Sequence, residues 1–366
     1  MIDFTSALYL GLRHPSSLLR PWAQMTAGRP AALASPPMAR SVAGDLAALT
    51  GAERATLARS TLHVFWDLFV ILTRDAKAIY LDAGTYPISR WGVERAAVRG
   101  VSAQVFEHHN PAALRERLRR EVRATIRPLV LADGVCPTCG GSAPIGDYLY
   151  AVRQHGGRLV LDDTQALGIL GRSPDRDAPY GRGGGGSLRW SGIAGPDVLV
   201  VSSLAKGLGA PLAVLSGSVA QIERFEAMSE TRVHASPPSF ADLHAAERAL
   251  QVNAVRGDAR RSRLAALVRR FRAGLTRLGL ASEGSLFPVQ SLAPIPGVAA
   301  PALHERLLRA GIRAVLHRPP CRPDPTVSFL ITAAHTPGAV DRALAELAGI
   351  VETGVVSAPL RSELAT

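Results

Sequence analysis

The sequence predicts an α/β chain: a large domain on a mostly parallel sheet, then a small C-terminal α+β domain. Three observations predict it. Short, near-continuously apolar runs alternate with helical patterns through the middle of the chain, as in βαβ units whose strands are covered on both faces. From about Val252 the texture changes to a long Arg/Ala/Leu helix followed by mixed short strands and helices. Hydrophobic residues make up 47% and charged residues 20%, enough apolar material for a core and too much for a mainly disordered chain. At ~150 residues per domain, 366 residues suit two domains. The reading divides them into an N-terminal segment (1–40), a large domain (41–251) and a small domain (252–366).

The elements follow in order. Ala78-Ile79-Tyr80-Leu81-Asp82 reads as a buried strand, as do Ala103-Gln104-Val105-Phe106, Pro128 to Asp133 and Arg158 to Asp162. The run Asp147 to Gln154 is a helix between two of these strands. Gly181 to Ser187, rich in glycine, reads as a flexible loop. Asp197 to Val201, entered through Gly195-Pro196, and Pro211 to Leu215 complete the set. In the small domain a helix is expected from about Gly257 to Leu278, then a strand-like run at Pro288 to Leu292 and a helix near Ala302 to Ala310. Strand-like runs at Arg313 to Leu316 and Thr326 to Thr332 precede a helix from about Pro337 to Leu347.

Net charge is +12, which raises the question of a nucleic-acid partner. The arginines, however, spread along amphipathic helices such as Leu114 to Arg120, without the aromatic residues that single-stranded sites interleave. No nucleic-acid partner is expected. No apolar run reaches the ~18 residues of a spanning helix, and the first residues carry no basic start before an apolar run. Three cysteines do not make a disulfide framework. The expectation is a cytoplasmic enzyme with no membrane partner. Cys136-Pro137-Thr138-Cys139 has the spacing of a zinc pair but no second Cys/His pair at finger spacing, and His108-His109 reads as a strand-end loop. No metal is expected.

Only two of the 42 basic residues are lysines, Lys77 and Lys206. Lysine can lose its proton and act as a nucleophile, which arginine cannot. Lys77 reads as a surface residue before a strand. Lys206 follows a β run and small residues (Ser202-Ser203-Leu204-Ala205) and precedes two nearby glycines, the setting of a tight turn beside an anion. In open α/β sheets ligands bind beyond the carboxyl ends of the strands. Three polar clusters fall there: Asp133-Gly134, Asp162 to Gln165, and Ser202 to Lys206. A strand-end carboxylate and a lysine on that edge suit pyridoxal 5'-phosphate, whose aldehyde needs a lysine and whose ring nitrogen needs a carboxylate.

The motifs go further. Phe4-Thr5-Ser6-Ala7-Leu8-Tyr9-Leu10-Gly11-Leu12 is similar to F-S-S-N-D-Y-L-G-L, and Asp82 to Tyr86 to D-x-x-x-H. Asp133-Gly134-Val135, with Gly140 and Ala143-Pro144, is similar to D/E-G-V-F-S-M-D-G-D-x-A-P. Leu161 to Gly168 is similar to V-D-D-A-H-G-x-G, Ser203 to Gly207 to T-L-S-K-A, and Ile331 to Thr336 to L-T-A-A-H-T. Six motifs in order along nearly the whole chain resemble the fold-type I pyridoxal-phosphate transferases, within them the α-oxoamine synthases, the family of 8-amino-7-oxononanoate synthase.

The resemblance implies roles by position. Lys206 would hold the cofactor and shuttle a proton, and Asp162 would pair with the ring nitrogen. Tyr86 would stack on the ring, and Gln165 would donate to the phenolic oxygen where the family has histidine. Ser203, Ser60 and Thr61 would bind phosphate, the last two at a helix N-terminus. His234 would stand where the family's threonine reaches the partner subunit's phosphate. A homodimer is implied. The departures lie on the substrate side. Ser328 stands where the family has the arginine that binds the amino-acid carboxylate, with Arg318 or Arg322 as substitutes, and Ala7-Leu8 replaces Asn-Asp. The family's S-R-L-V-T-G segment has no clear match. The reading implied is a transferase joining an amine- or amino-acid-derived carbanion to an acyl or other electrophile. An aminotransferase on the same fold is the alternative, and a non-catalytic cofactor- or nucleic-acid-binding module the third.

Overall fold

The computed structural model describes residues 1–33, 35–74, 78–121, 127–318 and 324–353. Lys77 and Arg322 lie outside them. The chain opens with β1 (Ile2–Asp3), α1 (Pro37–Thr50), β2 (Arg54–Ala58), α2 (Thr61–Leu72), β3 (Ala78–Asp82), α3 (Pro87–Ala97) and β4 (Ser102–Phe106). It continues through α4 (Pro111–Glu121), β5 (Pro128–Asp133), α5 (Ile145–Arg153), β6 (Arg158–Asp162), α6 (Ser187–Ser191), β7 (Val198–Ser203) and β8 (Ala213–Gly217). Then come α7 (Val219–Met228), α8 (Glu230–His234), the long α9 (Phe240–Arg277), β9 (Ser282–Glu283) and β10 (Val289–Leu292). Last are α10 (Ala300–Arg309), β11 (Ile312–Arg313), β12 (Val315–His317), β13 (Thr326–Leu330) and α11 (Pro337–Thr353).

Seven strands form the main sheet in the order β2-β8-β7-β6-β5-β3-β4. All neighbours are parallel except β8, which runs antiparallel to both β2 and β7. Alternate residues face opposite layers, as a strand's period of two requires. Ile79, Leu81, Leu129, Leu131 and Val160 pack under α2, α3 and α7. Tyr80, Val130, Ala132, Leu159 and Leu161 pack on the other face, with α4 and α5. Covering both faces is what makes the runs continuously apolar. The chain moves outward from β3 to β4, then returns to the other side of β3 for β5, β6 and β7. This reversal puts a ligand crevice beyond the ends of β3 and β5.

The small domain has a four-stranded antiparallel sheet, β12-β13-β10-β9. The N-terminal segment belongs with it: β1 pairs in parallel with β11, Leu330 N–H donates to Phe4 O, and Ala333 N–H donates to Tyr9 O.

Several expectations need correction. The boundary at 251/252 falls inside α9, which begins at Phe240 rather than Gly257 because Ser239 and Asp242 form a reciprocal capping box there. The run at 103–106 is an edge strand whose Ser102, Ala103 and Val105 are exposed. β2 lacks a long apolar run and was not expected. The glycine stretch is held rather than loose. Arg172 bridges Arg182 and Leu167 bridges Gly185, while Gly183 bonds Asp258 and Asn253. A side chain at Gly185 would put its Cβ 2.2 Å from the Leu49 carbonyl oxygen, so glycine is needed for that close approach.

Candidate active site

The three polar clusters meet. A cavity of about 160 Å³ is lined by Thr61, Tyr86, Asp133, Val135, Pro137, Asp162, Thr164, Gln165, Ser203 and Lys206. Asp133 and Asp162 end neighbouring strands in register, which places two buried carboxylates side by side. Lys206 sits in the turn that follows β7, with Nζ 5.8 Å from the centre of the Tyr86 ring. Tyr86 is the N-cap residue of α3, and its backbone N–H points to Asp133 Oδ1 at 3.3 Å.

The electrostatics is that of charges taken out of water. Burial pushes Lys206 below the ordinary lysine range, against the pull of Asp162 and Asp133. Burial raises Asp162, opposed by its hydrogen bonds from Thr164 and by Lys206. Burial and then the Asp162 charge raise Asp133 well above the carboxylate range. Asp133 Oδ2 is buried and finds no hydrogen-bond partner. Such an atom is costly unless a ligand serves it. The next residue, Asp163, contrasts with it. Burial raises its carboxyl to about 7, but Ser187 donates to it through both N–H and O–H.

Pyridoxal phosphate fits these residues on three counts. A protonated ring nitrogen would supply the positive charge that two buried carboxylates and one depressed lysine lack. Gln165 is oriented: Tyr9 O–H donates to its Oε1 at 2.6 Å, which leaves the amide N–H₂ to donate elsewhere. The first turn of α2 opens at Thr61, and the N-cap Ser60 side chain does not cap it, so its backbone N–H groups remain for an anion.

Six of the eight expected residues (Lys206, Asp162, Gln165, Tyr86, Ser203 and Thr61) therefore line one cavity. Ser60 is adjacent, but its hydroxyl pairs with His63 Nδ1 at 2.8 Å. His234 ends α8, exposed, and does not line the cavity of its own chain. Sequence reasoning missed Thr164, whose Oγ1 accepts from Ser203 N–H at 3.0 Å and so ties the β6 loop to β7. It also missed Tyr9, which lay inside a quoted motif without a role.

Ser328, where the resemblance expects an arginine, is 1% exposed. Its Oγ lies 2.7 Å from Ser291 Oγ and 2.8 Å from His317 Nε2. Ser291 in turn donates to the Thr138 carbonyl, next to the cavity-lining Pro137. Arg318 is exposed, and neither it nor any other arginine lines the cavity among the described residues.

The class I and II aminotransferase family matches residues 16–347 of the chain. An 8-amino-7-oxononanoate synthase of Halorhodospira halophila is 30% identical over 318 residues, 85% of this chain and 74% of that protein. That of Thioalkalivibrio sulfidiphilus is 33% identical over 258 residues, 70% of this chain and 63% of that protein. The chain thus spans less than two thirds of the latter relative's length. Among solved structures, a serine palmitoyltransferase of Sphingomonas wittichii superposes with TM-score 0.83 at 21% identity, covering 97% of this chain and 88% of that one. A high-resolution serine palmitoyltransferase structure containing PLP gives 0.83 at 19% identity, covering 97% and 88%. The 8-amino-7-oxononanoate synthase of Francisella tularensis gives 0.74 at 19% identity, covering 96% and 98%. These structures share the fold.

Proposed function

Because the chain belongs to the class I and II aminotransferase family, in its α-oxoamine synthase branch, we propose that it is a pyridoxal-phosphate-dependent transferase. Its reaction would join an amine- or amino-acid-derived carbon nucleophile to an acyl or other electrophile. The observation that carries this reading is the half-buried Lys206 beside Tyr86, in one cavity with Asp162 and with Asp133, whose Oδ2 has no partner.

When bound, pyridoxal phosphate joins an amine covalently and draws electrons from the carbon beside its nitrogen. Lys206 Nζ would anchor the cofactor and later take a proton from that carbon, helped by the burial that favours its neutral form. Asp162 would hold the proton on the ring nitrogen. Gln165, aimed by Tyr9, would donate to the phenolic oxygen. Tyr86 would cover a ring face, while the Thr61 and Ser203 hydroxyls and the first turn of α2 would hold the phosphate. Ser291 spends its own O–H on the Thr138 carbonyl and so takes the one Ser328 O–H, leaving no donor there for a substrate carboxylate, which favours an amine outside the usual amino-acid pattern.

The test is the visible spectrum of the purified protein before and after borohydride, beside Lys206→Ala. A band that borohydride bleaches in wild type and that the variant lacks supports the reading. No band after addition of the cofactor would sink it and leave a non-catalytic module. The family's aminotransferase name keeps transamination as the second reading. Stable pyridoxamine phosphate after one half-reaction would select it over condensation.

We also place the enzyme in the cytoplasm, in a biosynthetic role, as a homodimer. No helix of the described residues is long and apolar enough to cross a membrane. A groove of about 870 Å³ between α2 and α3 carries Leu62, Trp66, Trp91 and Val98, and both helices start at the cavity. A second copy would cover this face. Light scattering of wild type and Trp66→Glu tests it, a dimer becoming a monomer.

A further inference from the structure

The Cys-x-x-Cys loop and the histidine pair, read separately in the sequence, are joined by the sheet. β4 and β5 flank β3 on either side, so the loops at their carboxyl ends meet over Asp82 at the end of β3. One nitrogen of His108, one of His109 and Cys139 Sγ all lie within 4.8 Å of one another. Cys139 Sγ is 3.6 Å from His108 Nε2. Sulfur and nitrogen ligands bound at ~2.3 and ~2.05 Å in a tetrahedron are about 3.6 Å apart.

The surroundings suit ligation. The Asp82 carboxylate holds His108 Nδ1 at 2.5 Å, which directs Nε2 at Cys139, and takes the His109 backbone N–H at 2.9 Å and Tyr148 O–H at 2.8 Å. A carboxylate behind a histidine in this way fixes the ring for a metal. His109 has φ of 53°, a left-handed conformation uncommon outside glycine, and its ring lies against His108 with centroids 3.7 Å apart. In the cysteine loop, Cys139 N–H points to Cys136 Sγ at 3.5 Å and Gly141 N–H to Cys139 Sγ at 3.4 Å, contacts that favour thiolates. Gly140, at φ +66°, closes that turn.

We propose that Cys136, Cys139, His108 and His109 form a tetrahedral site for a thiophilic divalent cation, with zinc as the first choice. Two sulfurs and two nitrogens are a zinc donor set, and four protein ligands leave no open position, so the site is structural. It would fasten the loop whose Val135 and Pro137 line the active-site cavity to the ends of β3 and β4. This inference does not depend on the proposed reaction.

The test is metal content and cobalt spectroscopy on the full chain, purified with cofactor and without chelators. Mass spectrometry of metals should find about one zinc per chain. Protein grown in cobalt should show the visible d–d bands of a tetrahedral site, at longer wavelength than any cofactor band. Cys139→Ser and His109→Ala should each drop zinc to roughly a tenth of wild type or less. The borohydride-bleachable band or an unchanged circular dichroism spectrum would report that they remain folded. If the variants do not fold, the wild type decides. Its Cys136 and Cys139 thiols should resist a thiol reagent until a chelator is added. Wild type with neither zinc nor cobalt bands overturns the proposal. So does a folded variant that keeps its zinc, or a metal-free protein two mass units light with the pair joined as a disulfide.

Discussion

The cavity wall on the main sheet and the small-domain group behind it are built on opposite principles. The wall on the main sheet presents polar groups that the protein leaves unsatisfied: Asp133 Oδ2 without a partner, a lysine shifted down by burial, and a helix start not capped by its N-cap side chain. Behind it, in the small domain, Ser328, Ser291 and His317 satisfy one another and the Thr138 carbonyl. An unmet buried group is a demand for a ligand, whereas a met one is structure. In the reading proposed above, the first group is chemistry and the second is packing.

Breaking the first wall should cost most. Lys206→Ala should lower turnover by at least about 10³-fold, since it removes both the anchor and the proton carrier. A residual rate within tenfold of wild type would place the chemistry elsewhere. Asp162→Asn keeps the shape but not the charge, and a loss of about 10²-fold in kcat is expected, with the cofactor still bound. If kcat is unchanged, the ring nitrogen does not face this carboxylate.

The small-domain group gives smaller effects with opposite logic. Ser328→Arg should destabilise the protein by about 3 kcal/mol, because it buries a charge without a partner. Ser328→Ala should leave the KM for the amine within about 3-fold of wild type, while the unpaired Ser291 and His317 cost about 1 kcal/mol in a denaturant melt. A KM rise of tenfold or more in Ser328→Ala would mean that this hydroxyl does meet substrate, and the contrast between the two groups would fail.

A pH effect tests the burial account beside that wall. Burial raises Asp163 to about 7 in the folded chain, against an ordinary value near 3.8. The folded state thus holds a proton that the unfolded chain has released between those values. Asp163 favours the fold at low pH, and that contribution fades as pH rises from about 4 to about 7, by at most about 1.4 kcal/mol per pH unit. Asp163→Asn should remove this slope. Urea midpoints at pH 5 and pH 7.5 check it, and an unchanged difference between wild type and variant would refute the burial account.

Much of this was legible beforehand, because it is written locally. Continuous apolar runs bounded by Asp82, Asp133 and Asp162 are strands whichever way the sheet is ordered. A lysine in a chain that otherwise uses arginine stands out by chemical capability alone. What escaped had weak local signals. β2 has only five residues without a long apolar run, and the start of α9 depended on a capping box rather than on periodicity. The glycine run looked loose because its restraints come from Leu49, Asn253 and Asp258, far along the chain.

By itself, then, the sequence determined the strand–helix alternation, the acidic strand ends, the lone candidate lysine and a serine, Ser328, where the resemblance expects an arginine. Only the tertiary structure decided that Tyr9 aims Gln165, that Ser328 is closed off, and that two histidines and Cys139 converge over Asp82. The physical reason is range. Periodicity and turn chemistry act over a few residues, whereas these contacts depend on which strands the sheet makes neighbours. That order is settled by burial of the whole chain at once.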